Sequence, residues 1–220
     1  MKTLVLGDGI LGSEIVKQTG WELMSRKKTG FDINSTSLEV LNDYDIVINC
    51  IANTDCYSLS KIKHLEINYN FPKRLSDYCV NRGIKLVHIS TEFVYANNKY
   101  APNEEDKAIP DNTWYAKSKL LADNYIELTN EKALICRELH KPNPFPYKEV
   151  WKIRTSGDTV DKIADLIIQL INKHAVGIYN VGTGCKWLKD LAPNCKEVDA
   201  PDYVPFDTTM DLTKLNTFLR

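Results

Sequence analysis

Long apolar runs are missing from these 220 residues: none approaches the roughly 18 to 20 residues needed to cross a bilayer, so no membrane-spanning segment is expected. An excess of charge of one sign is missing too. The 28 Lys and Arg nearly balance 29 Asp and Glu, for a formal net charge of −1, and such a chain offers no broad basic field to attract phosphate backbones. Nucleic acid is therefore not an expected partner, and a small molecule is. The six cysteines, at 50, 56, 79, 136, 185 and 195, lack the short paired spacings of zinc sites or secreted disulfide frameworks, and are read as reduced thiols. His64, His88, His140 and His174 share no ligand spacing, so no metal is expected and ordinary surface or core roles are assigned to them. Internal repeats and low-complexity tracts are absent. A strand pattern at Thr3-Leu4-Val5-Leu6 is read as leaving no room for a leader peptide, which with the missing apolar span suggests a cytoplasmic protein.

What is present is an alternation of strand-length apolar runs with helically spaced segments. Strands are expected at Thr3 to Leu6, Glu22 to Ser25, Ile46 to Cys50, Leu86 to Ser90 and Ala133 to Cys136. Helices fit at Leu11 to Thr19, Phe71 to Asn81, Ser118 to Thr129 and Thr159 to Asn172. The last carries the apolar stripe Val160, Ile163, Ala164, Ile167, Ile168 and Ile171. Continuous apolar strands such as Ile46-Val47-Ile48 suit a parallel sheet covered on both faces. The expected fold is α/β: a Rossmann-type doubly wound parallel sheet over residues 1–137, followed at 138–220 by a reduced C-terminal substrate cap packed on the core.

Gly7-Asp8-Gly9-Ile10-Leu11-Gly12 directly follows the first strand and opens the first helix. In that setting Gly7 permits a tight turn, Gly9 lets backbone approach a pyrophosphate, and Gly12 allows close helix-strand packing. A plain strand-to-helix turn is the bland alternative. After the second strand, Ser25-Arg26-Lys27-Lys28 stands where an NAD-preferring protein would place an acidic residue. These cations suit the 2′-phosphate of NADP(H), or else belong to a solvated turn. Asp32 and Ile33 either border the adenine or, for Asp32, cap a short helix near Ser35.

Tyr115 and Lys119 are four residues apart, so on a helix they share a face. An ammonium beside a phenol is expected to lower its pKa and bring proton exchange toward neutral pH. Ser90-Thr91 closes another strand, placing a hydroxyl at the carboxyl edge of the sheet, where open α/β folds bind ligands.

With these motifs and the stretches Asp45 to Thr54, Glu66-Ile67-Asn68 and Val87 to Tyr95, the chain resembles the extended short-chain dehydrogenase/reductases. Among them it looks like the dTDP-4-dehydrorhamnose reductase family. Glu104-Glu105-Asp106, Gly177 to Asn180 and Asp211 to Leu215 fall in the same order as that family's acidic loop, late strand and closing segment. The resemblance implies a catalytic set of Thr91, Tyr115 and Lys119. Tyr115 would be the general acid, Lys119 would hold the nicotinamide ribose and tune Tyr115, and Thr91 would bond the carbonyl oxygen. It further implies cofactor contacts from Gly7, Gly9, Ile10, Leu11, Gly12, Arg26, Lys27, Asp32, Ile33, Cys50, Ile51, Ala52, Asn68, Tyr115 and Lys119. NADP(H) is the expected cofactor, with NAD(H) as the alternative, and the expected reaction is reduction of a nucleotide-linked 4-keto-6-deoxysugar. A homodimer is compatible with the resemblance.

One departure stands out: Glu138-Leu139-His140 replaces the Thr-Ser-Trp-like stretch usual after this strand, and the chain is short between Arg137 and Thr155. That leaves two rivals to the reductase: a non-catalytic nucleotide-binding partner subunit, and an epimerase or dehydratase using bound NAD.

Overall fold

The computed structural model describes residues 1–220. Six parallel strands form the central sheet: β1 (Thr3–Leu6), β2 (Glu22–Met24), β3 (Ile46–Asn49), β4 (Lys85–Ile89), β5 (Leu134–Glu138) and, after four short strands, β10 (Gly177–Val181). The short strands are β6 (His140–Lys141), β7 (Glu149–Trp151), β8 (Arg154–Thr155) and β9 (Asp158–Thr159). Their successors after β10 are β11 (Lys186–Trp187), β12 (Lys196–Val198) and β13 (Asp207–Thr208). The helices are α1 (Ile10–Thr19), α2 (Arg26–Thr29), α3 (Lys61–Leu65), α4 (Phe71–Arg82), α5 (Trp114–Thr129), α6 (Val160–Asn172) and α7 (Thr213–Leu219).

Strand order in the sheet is β10-β5-β4-β3-β1-β2, so the direction of winding reverses between β1 and β3. Ligands of open α/β sheets bind at such a switch point, beyond the carboxyl ends of the strands. Alternation along each strand explains why the runs are apolar throughout. Val5, Ile46, Ile48, Val87, Ile89, Leu134 and Cys136 face one buried cluster with α1 and α6, whereas Leu4, Leu6, Val47, Leu86 and Ile135 face a second with α4 and α5. Both faces are thus dry.

The sheet does not stop at residue 137. Helix α6 buries Val160, Ile163, Ala164, Ile167, Leu170 and Ile171, and β10 pairs with β5, so residues 160–181 complete the core rather than cap it. Helix α7 also packs on the core through Leu215, while the other C-terminal residues form a smaller lobe with a parallel β12/β7 pair, a β11-β8-β13 sheet and a separate cluster around Val150, Ile153 and Leu188. This lobe is tied to the core through Glu92, whose buried carboxyl group accepts hydrogen bonds from the hydroxyls of Thr155 (2.8 Å) and Thr208.

Helix α5 begins at Trp114, four residues earlier than its periodicity suggests. Thr113 caps it by accepting from the Ala116 N–H at 3.1 Å, and Asp111 holds Thr113 in turn. The cap brings Tyr115 and Lys119 onto one helix. All six cysteines are unpaired. No helix is long and apolar enough to cross a membrane.

Candidate active site

A cavity of about 660 Å³ runs along the carboxyl ends of β1, β3, β4 and β5. At one end lies the glycine turn. Gly7 has φ of 100°, a conformation that favours glycine, and a Cβ on Gly12 would sit 2.1 Å from the Gly7 carbonyl oxygen. Around Gly9 the space is open, with nothing within 4 Å of a hypothetical Cβ, so backbone there is free to meet a ligand. This close packing beside an open approach fits a dinucleotide pyrophosphate.

Of the residues expected from the sequence, Gly7, Gly9, Ile10, Leu11, Gly12, Arg26, Asp32, Ile33, Cys50, Ile51, Ala52, Tyr115 and Lys119 all line this cavity. Cys50 is therefore a wall residue as well as a packing one. Three residues differ from expectation in placement. Lys27 is exposed on α2 and does not line the cavity, because the four-residue helix turns it outward. Asn68 is fully buried in a π-helical turn (Glu66–Asn70) behind the wall. Its side chain accepts from the Asn53 N–H (2.7 Å) and donates to the Asn53 carbonyl (3.0 Å) and to Ser118 (3.3 Å). Thr91 is buried behind the wall rather than in it, where its hydroxyl accepts from the Phe93 N–H at 3.3 Å and lies near enough to the Tyr115 phenol to act on its pKa.

At the adenine end, Arg26 forms a 3.4 Å ion pair with Asp32 while remaining 86% exposed. Asp32 also accepts from the Asn34 N–H at 2.8 Å, so it shapes its own turn instead of capping a helix at Ser35. Both roles keep Arg26 at the cavity mouth.

At the other end the electrostatics correct a simple expectation. Lys119 does not lower the Tyr115 phenol. Its ammonium turns away, donating to the Ile89 carbonyl and lying 3.4 Å from His88 Nε2. Burial pushes the Tyr115 pKa up, the nearby Cys56, Glu138 and Glu92 reinforce the shift, and the Thr91 hydroxyl opposes it. Tyr115 is thus a neutral phenol, the form able to give a proton. Burial also brings the Lys119 pKa down to about 8, while Asp123 and Glu138 favour its charge. Beside it His88 is held well below its ordinary value by burial and by Lys119, so it stays neutral. Phe93 and His64 meet the Tyr115 ring edge-on, with centroids at 5.9 and 6.3 Å, and fix its plane.

Sequence reasoning missed Asp8, Ser25, Lys63, Glu66, Glu138 and His140 as wall residues. Glu138 and His140 matter most, because they add to the cavity a buried carboxylate, near enough to Tyr115 to act on it, and an imidazole. Their only signal was the departure from the family stretch after β5. No residue beyond His140 lines the cavity.

The RmlD substrate binding domain family matches residues 1–139. Over 116 residues the chain is 33% identical to a probable low-salt glycan biosynthesis reductase of Haloferax volcanii, covering 48% of this chain and 37% of that protein. Over 143 residues it is 26% identical to a dTDP-4-dehydrorhamnose reductase of Mycobacterium tuberculosis, covering 59% and 46%. The matched stretch thus spans less than half the length of these two curated relatives. In fold it matches a Bacillus anthracis dTDP-4-dehydrorhamnose reductase solved with NADP, at a TM-score of 0.81, 20% identity and coverage of 99% and 92%. With the family match covering more than half of its residues, the chain belongs to the RmlD substrate binding domain family.

Proposed function

We propose that this protein reduces the ketone of a nucleotide-linked 4-keto-6-deoxysugar with NADPH, with Tyr115 as the general acid. The observation that carries this reading is the single cavity joining the glycine turn to Tyr115 and Lys119. The relatives named as reductases, and the fold neighbour that holds NADP, support the same class.

A bound reduced nicotinamide would supply hydride to the carbonyl carbon. The chain does the rest. Gly7, Gly9 and Gly12 make room for the pyrophosphate, and Arg26 at the mouth suits the 2′-phosphate better than a bare ribose. The Tyr115 phenol, with the buried Thr91 hydroxyl behind it, binds the carbonyl oxygen, and Tyr115, kept neutral by burial, delivers its proton as negative charge develops there. Lys119, which lines the same cavity, would supply positive charge to hold the ribose hydroxyls.

NADPH consumption across a panel of nucleotide-linked 4-keto-6-deoxysugars tests the reading, with Tyr115→Phe alongside. The substitution is expected to lower turnover by about 100- to 10,000-fold while NADPH still binds. Binding of NADPH without turnover of any sugar would instead favour a non-catalytic partner subunit, a role consistent with the wall ending at His140.

A further inference from the structure

Two side chains, one at the end of β5 and one at the start of β6, have no part in the reduction just described. Glu138 is the last residue of β5 and is 5% exposed, and both its oxygens hydrogen-bond with Nδ1 of His140, at 3.0 and 3.1 Å. That carboxylate has no other hydrogen-bond partner in the chain, so orienting the imidazole is what its buried charge accomplishes. His140 Nε2 makes no hydrogen bond within the chain, and both residues line the cavity that holds Tyr115 and Lys119. Glu138 is near enough to Tyr115 and Lys119 for its charge to act on both. A buried carboxylate thus fixes the tautomer of an imidazole whose second nitrogen is free to face a ligand, the arrangement of a general acid-base.

Tyr115 already accounts for the proton on the new hydroxyl. An additional base in the wall of the same cavity, reaching the same ketone, would have one acidic position to act on, the C–H next to the carbonyl. We propose that His140, positioned by Glu138, is a second catalytic residue that reversibly removes a proton from the carbon adjacent to the ketone, giving this site an enolisation activity besides reduction. The step balances without a co-reactant. The C–H bond breaks and its proton goes to His140 Nε2. The bonding pair becomes the C=C bond, and the carbonyl π pair moves onto oxygen, which takes the Tyr115 proton. Reversal returns a proton from His140 to carbon and the phenol proton to Tyr115. Because the His140 side chain is 25% exposed, its N–H exchanges with solvent between the two halves. The inference rests on the ketosugar reading above but not on hydride delivery.

The test is deuterium incorporation. A dTDP-linked 4-keto-6-deoxyhexose is incubated in D₂O with the full chain and no reduced cofactor, and the mass and position of label are read by mass spectrometry and NMR against a protein-free control. The expected result is label on a carbon beside the ketone, formed at least about 100-fold more slowly by His140→Gln. Glu138→Gln is expected to slow exchange by about 10-fold and to move the inflection of its pH profile downward. Burial and Lys141 oppose the imidazolium, the Glu138 carboxylate outweighs them and raises the His140 pKa, and the other ionisable groups around the pair are Lys119, Glu92, Tyr115, Cys50 and Cys136. A merely structural role for Glu138 would lower the rate without moving that inflection. Wild-type protein that reduces the sugar with NADPH yet labels it no faster than buffer overturns the inference and leaves the reductase reading standing. Exchange by His140→Gln at the wild-type rate also overturns it. If neither reduction nor exchange is seen with any nucleotide-linked ketosugar, both readings fall.

Discussion

Asp123 of α5 and Arg137 of β5 form a 3.0 Å ion pair with 0% and 3% of their side chains exposed. The same Asp123 oxygen accepts from the Ser90 hydroxyl at 2.8 Å, and Arg137 also reaches the Tyr95 hydroxyl. Two strand ends are thereby clamped to the helix that carries Tyr115 and Lys119. The second Asp123 oxygen has no hydrogen-bond partner and lies 4.0 Å from His88 Nε2.

Removing one member of such a pair leaves the other charge buried without compensation, at a cost of about 3–5 kcal/mol. Arg137→Ala is expected to destabilise the fold by that amount in urea unfolding. A paired replacement of Asp123 and Arg137 by leucines should recover part of the loss.

Arg26 is mostly exposed, so its replacement should leave stability nearly unchanged and alter cofactor choice. Arg26→Ala is expected to raise the Kd for NADPH about 10-fold, or about 1.4 kcal/mol, with little change for NADH. Fluorescence titrations with the two cofactors read the difference. Equal weakening of both would assign Arg26 to shaping the mouth rather than to the 2′-phosphate.

Glu92 ties the C-terminal lobe to the segment after β4. Burial pushes its carboxyl from an ordinary value near 4.5 up to about 8, against the opposing Thr208 and Thr155 hydroxyls. Between those values the folded chain keeps a proton that the unfolded chain has released. The stability linked to this group is therefore complete below the unfolded pKa and is lost as pH rises through about 8. Melting temperatures at about pH 5 and about pH 9 should show a decline in the wild type that Glu92→Gln reduces, since the amide has no charge to bury.

Much of the dinucleotide half was legible in the residues themselves. A run such as Ile46-Val47-Ile48 can only be dry on both sides, and a glycine turn between strand and helix has few uses, so strand positions and the cavity's first end could be read directly. The spacing of Tyr115 and Lys119 likewise follows from helical geometry, although their helix begins before its apolar periodicity because Thr113 and Asp111 supply a polar cap. Lys27 and Asn68 show the limit of such reading. Neighbours of wall residues point elsewhere when a four-residue helix or a π-helical turn rotates them away.

By itself, then, the sequence determined the strand-helix alternation, the glycine turn and the Tyr-Lys spacing, because each is a local consequence of side-chain period or backbone freedom. Tertiary structure alone decided three other matters. It returned α6 and β10 to the core after the excursion of residues 139–159, turned Lys119 toward Ile89 so that burial rather than a neighbouring charge governs Tyr115, and brought Glu138 and His140 into the same cavity. Burial and charge proximity belong to residues far apart along the chain, and no local period encodes them.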